Sequence, residues 1–332
     1  MGFRHAHING LLAHARENAA VEIVAACEED DDARAEVLAS KRAEITHTSY
    51  AAMLEEVECD AIAVGDYYAK RGAVIIEALR RGKHVVADKP ICTELEELDT
   101  IARLCEENCL KLGCMFDLRH VARFRKAREL VRAGAIGEVH GVLFNGMHPL
   151  TPAVRPAWYF EPGKHGGTIN DIAIHALDML PWITGVPLAR VRAARCWNAF
   201  AEQYHHFEDA AQVMLVMANN AGVLGDVSYF SPDSMGYSPS WYWRFELFGR
   251  NGVLTTENRL AEVKLAINGQ KKVQLLPVGE KPDRTCLTDF LDDINGSSPE
   301  DALRTGEVIA ASRAALLAQK AGDENLFDVA IP

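Results

Sequence analysis

Three side chains in this 332-residue chain are of types that move protons at a defined point: Lys89, Asp171 and His175. Lys89 closes the run Gly82-Lys83-His84-Val85-Val86-Ala87-Asp88-Lys89-Pro90. Asp171 and His175 stand four residues apart in Gly166-Gly167-Thr168-Ile169-Asn170-Asp171-Ile172-Ala173-Ile174-His175. On a helix over residues 171–184 they share one face, with Asp178 a turn further along it, while Ile172, Met179 and Ile183 point toward a core. An imidazole with a carboxylate beside it can take a proton from a hydroxyl, and an ammonium can stabilise the alkoxide that develops. That is the proton chemistry required when a hydride leaves an alcohol carbon. Buried beside a cationic ring, Lys89 would be pushed toward its neutral form and could itself serve as the base.

The elements that must hold these groups follow from periodicity. Val85, Val86 and Ala87 read as a short buried strand that delivers Lys89 past its carboxyl end, where ligands of open α/β sheets bind. Pro90 bars its continuation. Thr93 and Glu96 form a capping box for an amphipathic helix with Leu95, Leu98, Ile101, Ala102 and Cys105 on one face. Strands are expected over residues 21–27, 60–64 and 111–116, with helices from about Asp32 and over 70–81, the latter closed by Gly82. This alternation predicts a doubly wound parallel sheet over residues 1–118. Beyond it a basic helix (Arg123, Arg125, Lys126, Arg128, Arg132) ends near Gly134, and βαβ alternation stops. Strands are expected at 139–144, 191–196, 210–217, 222–229, 243–248, 253–256, 263–267 and 273–276, with a hairpin at Asn219-Asn220. A helix announced by Ser298-Pro299-Glu300 and stopped by Gly322 closes the chain. Residues 119–332 are therefore expected to form an α+β substrate-binding and oligomerisation domain with a large, mostly antiparallel open sheet.

The two polar segments resemble those of the Gfo/Idh/MocA oxidoreductases, whose members carry Gly-Lys-His-Val…Glu-Lys-Pro and, later, Gly-Gly…Asp-x-x-x-His. The likeness runs over nearly the whole chain. It implies a Rossmann domain and an NAD(P)-dependent dehydrogenase acting on CH–OH groups of a sugar, inositol or related polyhydroxy compound. It also implies that His175 is the acid/base, that Asp171 binds or orients the hydroxyl, and that Lys89 lies beside the nicotinamide. Asp88 replaces the usual glutamate, keeping charge with shorter reach, and is expected with Lys89 at the cofactor, while Ala173 replaces a frequent glycine, which raises helix propensity. After the strand at 61–64 the family has a Thr-Pro-Asn-like turn and a histidine. Here Gly65-Asp66-Tyr67 follows instead, and Asp66 and Tyr67 are expected to line the cofactor channel.

The cofactor end departs further. A dinucleotide fold opens with a buried strand and Gly-x-Gly-x-x-Gly, so that bare backbone can approach a pyrophosphate at a helix amino terminus. Met1-Gly2-Phe3-Arg4-His5-Ala6-His7 keeps only Gly2, with Arg4 and His7 at the other two glycine positions and no strand before them. A sheet without its central strand would leave backbone groups of its neighbours unpaired, so the expectation is that residues upstream of Met1 supply that strand. Arg4 is a candidate for the pyrophosphate, its alternative being a solvent-facing guanidinium. Glu28, after the strand at 21–27, stands where a carboxylate takes the adenosine ribose diol. Glu29, Asp30, Asp31 and Asp32 beside it would repel a 2′-phosphate, which favours NAD over NADP.

On the substrate side, Arg119, His148 and Trp158 are the leading candidates, with Arg155, Tyr159, Lys164 and His165 nearby in sequence. His205 and His206 have no further ligands at metal spacing, and Trp241 and Trp243 read as sheet packing. A net charge of −12, from 35 Lys+Arg against 47 Asp+Glu, excludes nucleic acid and anionic membrane as partners. No apolar run approaches a transmembrane length and no signal-peptide core opens the chain, so a cytoplasmic location is expected. The eight cysteines contain no Cys-x-x-Cys pair and are expected to be reduced, without a metal site. The expected assembly is a homodimer or homotetramer built through the open sheet face. Two other readings stay open: a redox-neutral glycoside hydrolase using tightly held NAD, and a non-enzymatic dinucleotide-dependent regulator. The eroded glycine motif favours the regulator, and the intact Lys89, Asp171 and His175 oppose it.

Overall fold

The structure, a computed structural model, describes residues 1–280 and 283–332. In chain order its elements are α1 (Ile8–Glu17), α2 (Asp31–Ala39), α3 (Tyr50–Glu56), β1 (Ala61–Val64), α4 (Tyr68–Arg80), β2 (His84–Ala87), α5 (Leu95–Glu107), β3 (Leu112–Cys114), α6 (Ala122–Arg132) and β4 (Val139–Asn145). There follow a π turn (Ile169–Ala173), α7 (Ile174–Thr184), β5 (Leu188–Trp197), β6 (Ala210–Met217), β7 (Gly222–Asp226), β8 (Arg244–Gly249), β9 (Gly252–Glu257), β10 (Glu262–Ile267), β11 (Gln274–Pro277), α8 (Cys286–Asn295), α9 (Thr305–Asp323) and β12 (Val329–Ala330). They divide between two compact units. The first comprises Met1–Phe116, Pro156–Gly166 and Arg284–Ser312, and the second Asp117–Arg155, Gly167–Asp283 and Arg313–Pro332.

In the first unit β1, β2 and β3 form a parallel sheet in that order. Val64, Val85, Ala87 and Cys114 have no exposed surface, as befits strands covered on both faces. Phe3, Ile8, Leu11, Val37, Val86, Met115, Leu287 and Phe290 share one core. Phe290 of α8 comes so close to β3 that a Cβ on Gly113 would lie 2.9 Å from it.

The expected strand at 21–27 does not form. Only Cys27 bridges in parallel to His47, and Ile23 and Val24 are 44% and 50% exposed. The residues have strand propensity, yet a strand needs a ladder partner, and no described residue forms a ladder along 21–26. Met1 and Gly2 fill only the carboxyl-end position, where Gly2 N donates to Cys27 O at 3.0 Å and Gly65 N to Met1 O at 2.9 Å.

Two helix starts are corrected as well. Glu94, not Thr93, is the N-cap of α5, and the carboxylate that reaches back, to the backbone of Thr93 and Glu94, is that of Glu97. The last helix begins at Thr305, and α8, capped reciprocally by Thr285 and Thr288, precedes it. Sequence reading passed over α1, α3 and α8, although the Thr285-x-x-Thr288 spacing signals the last of these.

The second unit is built on a nine-stranded sheet ordered β11-β10-β9-β8-β4-β7-β6-β5-β12. Every pairing is antiparallel except that of β4 with β7 at its middle. Helices α6 and α7 pack on each other and against strands of this sheet. On one face, Leu143 pairs across to Leu224, which pairs to Met214. Through Glu246 and Lys264 the same face carries Phe248 and Leu275. All five of these apolar side chains are exposed.

Candidate active site

The carboxyl end of β2 is organised by a buried ion pair. Asp88 has no exposed surface, and its carboxylate accepts from Arg71 Nη2 at 2.7 Å, from His7 Nδ1 at 3.1 Å and from His5 Nδ1. Burial opposes ionisation of Asp88, but Arg71 and the two histidines outweigh it and hold the carboxyl well below its usual range. His5, 4% exposed, is lowered to about 4 by burial in spite of Asp88, so it is neutral at pH 7. Asp88 was expected to reach the cofactor. Its oxygens are instead spent inside the protein, and the guanidinium on them makes this cluster an ion pair rather than a cation site.

Arg71 braces the next residues too, donating from Nη1 to Lys89 O at 2.6 Å and Pro90 O at 3.0 Å and from Nε to Asp66 O at 2.8 Å. The Lys89–Pro90 bond is cis. The Lys89 side chain is buried, its ammonium 6.0 Å from the centre of the Tyr68 ring.

The turn from Gly2 into α1 fits a dinucleotide pyrophosphate. Gly2 has φ +80°, and a Cβ on it would lie 2.7 Å from Asp66 N, so only glycine passes there. The first turn of α1 has neither an acidic residue nor a side-chain cap. The Asn9 and Gly10 amides are taken by Ala6 O and His7 O, so what this helix start offers an anion is its positive dipole end with no acidic side chain of that turn against it. Arg4 is held by Asp66, at 2.7 Å from Nε and 2.9 Å from Nη2, and its guanidinium lies 4.7 Å from the Tyr67 ring centre. Asp66 also accepts from Tyr50 Oη at 2.6 Å. Glu28, expected to take the ribose, is wholly buried and accepts from the amides of Phe3 and Asp30. It organises the glycine turn and has no exposed oxygen to offer. Trp158 belongs to this unit as well. Its indole donates to Arg4 O at 3.0 Å, and its ring lies against those of His5, Tyr68 and Tyr159.

Asp171 and His175 are in the second unit, on the π turn and the first turn of α7 rather than on one regular helix. Widened turns of this kind recur at functional sites. Tyr229 Oη donates to Asp171, which is buried. The half-buried His175 ring lies 5.7 Å from that of Trp243. His148 joins them, 4.8 Å from Tyr242, 5.9 Å from Trp243 and 6.2 Å from Tyr229 between ring centres. Its Nδ1 donates to Gly146 O at 2.6 Å, which makes Nε2 the acceptor nitrogen of the neutral ring. Burial raises the Tyr242 phenol, leaving it a neutral donor. This aromatic wall was not foreseen: Trp243 was read as packing, and Tyr229 and Tyr242 carry no local motif. Arg119, by contrast, is engaged by Asp178, with Nη2 at 2.6 Å and Nε at 2.9 Å, and lies over Trp182. The two form a buried ion pair.

Residues 2–116 match the oxidoreductase family with an NAD-binding Rossmann fold, and residues 124–255 match the GFO/IDH/MocA C-terminal domain. The chain belongs to the Gfo/Idh/MocA oxidoreductase family. It is similar to the myo-inositol 2-dehydrogenase of Thermotoga maritima, 25% identical over 206 residues that make up 62% of this chain and 59% of that one. It is also similar to the dTDP-3,4-didehydro-2,6-dideoxy-alpha-D-glucose 3-reductase of Streptomyces violaceoruber, 30% identical over 145 residues, 44% of this chain and 42% of that one. These matches thus span less than two thirds of either relative. A solved structure of a candidate oxidoreductase from Erwinia carotovora atroseptica is 26% identical, with a TM-score of 0.85 over 97% of each chain.

Proposed function

We propose that this protein is a nicotinamide-dependent dehydrogenase of a sugar, inositol or related polyhydroxy compound, with NAD preferred over NADP. The observation that carries the reading is the Asp171 and His175 pair, set among His148, Tyr229, Tyr242 and Trp243, a mixture of acceptors, donors and flat apolar faces suited to a ring bearing hydroxyls. Similarity to an inositol dehydrogenase and a deoxysugar reductase supports the substrate class.

The bound dinucleotide supplies the hydride acceptor. His175 takes the hydroxyl proton, Asp171, itself held by Tyr229, orients the hydroxyl, and Lys89 stabilises the alkoxide as it forms. The Gly2 turn and the start of α1 hold the pyrophosphate. Glu28 keeps that turn closed, and the carboxylates of Glu29 to Asp32 disfavour a 2′-phosphate. The protein further assembles as a homodimer or homotetramer through the exposed sheet face that carries Leu143, Met214, Leu224, Phe248 and Leu275.

The test begins with titration of NAD, NADH and NADP, followed by NADH production from myo-inositol and a set of sugars. Tighter binding of NAD than NADP and turnover of a polyol are expected, with turnover abolished in Lys89→Met and lowered, with a changed pH profile, in His175→Ala. Absence of dinucleotide binding would sink the reading. NAD retained through purification and sugar release without net NADH would replace it by the redox-neutral hydrolase.

A further inference from the structure

The first amides of a helix have no partner within it, and Thr168, at the N-cap of the π turn, provides no side-chain acceptor. The acceptor comes from α9. Gln319 Oε1 accepts from Ile169 N at 2.9 Å and from Asn170 N at 3.2 Å. The other half of the same amide is fixed too, Nε2 donating to Asp323 Oδ1 at 2.7 Å and to Cys196 Sγ at 3.4 Å. Two donors on one side and two acceptors on the other leave the amide a single orientation. The side chain is buried, where unmade hydrogen bonds would be costly, and all four are made. It also lies against Gly167, whose φ is +91° and on which a Cβ would fall 2.1 Å from Gln319 Cδ. Asp171 follows directly, its N–H bonded to Gly167 O at 3.0 Å, and His175 lies one turn beyond.

We propose that Gln319 is a positioning residue for Asp171 and His175. By capping the π turn from outside, it sets the height and rotation of the helix start that carries both groups. The inference rests on the reading of these two as the proton-transfer pair, since a misplacement of about 1 Å at such a pair costs up to about a hundredfold in rate.

Gln319→Leu keeps the bulk and removes all four hydrogen bonds. The expected result is a kcat on the polyol substrate lower by roughly ten- to a hundredfold, a displaced pH profile, unchanged affinity for NAD, and amide hydrogen exchange at Ile169 and Asn170 faster by about tenfold or more. Gln319→Glu alone, which sets a carboxylate beside Asp323, should be impaired in the same way. Combined with Asp323→Asn it exchanges donor and acceptor, so the Glu accepts from both amides and from the Asn, and rate and exchange protection should recover. A folded Gln319→Leu with wild-type rate and pH profile overturns the inference, and so does a double variant no better protected at Ile169 and Asn170 than Gln319→Glu. If the wild-type protein turns over no polyol, the dehydrogenase reading has failed by itself, and hydrogen exchange still decides whether Gln319 holds the turn.

Discussion

Asp88 shows how much of a site can be built from residues that no motif announces. Its partners come from positions 5, 7 and 71, so the adjacent Lys89 was legible as a reactive group while the reason for the aspartate was not. Removing the charge leaves Arg71 buried without its counterion. Asp88→Asn is therefore expected to lower stability by about 3–5 kcal/mol, the range for breaking one side of a buried pair, as measured by urea unfolding at pH 7. A loss under 1 kcal/mol would mean that Arg71 finds enough acceptors in the backbone of Asp66, Lys89 and Pro90. His5 adds a pH dependence of definite sign. Its folded value of about 4 lies below the ordinary 6.5 of a histidine, so between those limits the unfolded chain holds a proton that the folded chain rejects. Stability from this group is complete above pH 6.5 and falls as the pH drops toward 4, with a slope of at most about 1.4 kcal/mol per unit. His5→Gln should flatten the urea midpoint between pH 7 and pH 5, and an unaltered slope would assign the dependence to other histidines. Arg119 and Trp158 mark the limit of reading by residue type. Both have chemistry that suits a sugar, and their partners in the fold, Asp178 and Arg4 O, are distant in sequence and carry no local signal.

At the scale of elements, periodicity located β1, β2, β3 and the second-unit strands other than the two-residue β12, since their apolar residues alternate or cluster as a sheet imposes. It failed where a signal needed a neighbour. Residues 21–27 are apolar and β-prone yet lack a ladder, and the helix of Asp171 and His175 opens as a π turn whose first amides are capped by a side chain on α9. Gly167 is the local sign of that arrangement. A methyl group there meets both a left-handed backbone and the Gln319 amide, so Gly167→Ala should destabilise by roughly 2–4 kcal/mol, read as a fall in the thermal midpoint. A midpoint within 1–2 °C of wild type would show that α9 can move aside, and that the glycine is not required by packing.

For the molecule as a whole, composition and charge pointed to a small-molecule substrate rather than nucleic acid, and the change of periodicity near residue 118 falls close to Phe116, where the first run of the first unit ends. The return of residues 156–166 and 284–312 to the first unit carries no sequence signal, because a chain's route between units leaves no trace in local pattern. The exposed row of Leu143, Met214, Leu224, Phe248 and Leu275 is an apolar face of the kind that marks an interaction surface. With assembly through this face, Leu224→Glu should shift sedimentation toward the monomer with the cofactor affinity intact. An unchanged oligomer would place the interface on another surface.

The parallel pairing of β4 with β7 has a kinetic consequence. These strands are neighbours at the middle of the sheet, yet residues 146–221 separate them in the chain, and that excursion contains the π turn, α7, β5 and β6. The β8–β9 and β6–β7 hairpins close short loops and are expected to form early, whereas docking β4 on β7 closes a far longer loop and is expected to come later. Asp171 and His175, carried within that loop, are expected to be completed late, together with the sheet. In pulse-labelled refolding, amides of β8 and β9 should gain protection before those shared by β4 and β7, and enzymatic competence should rise with the slower phase.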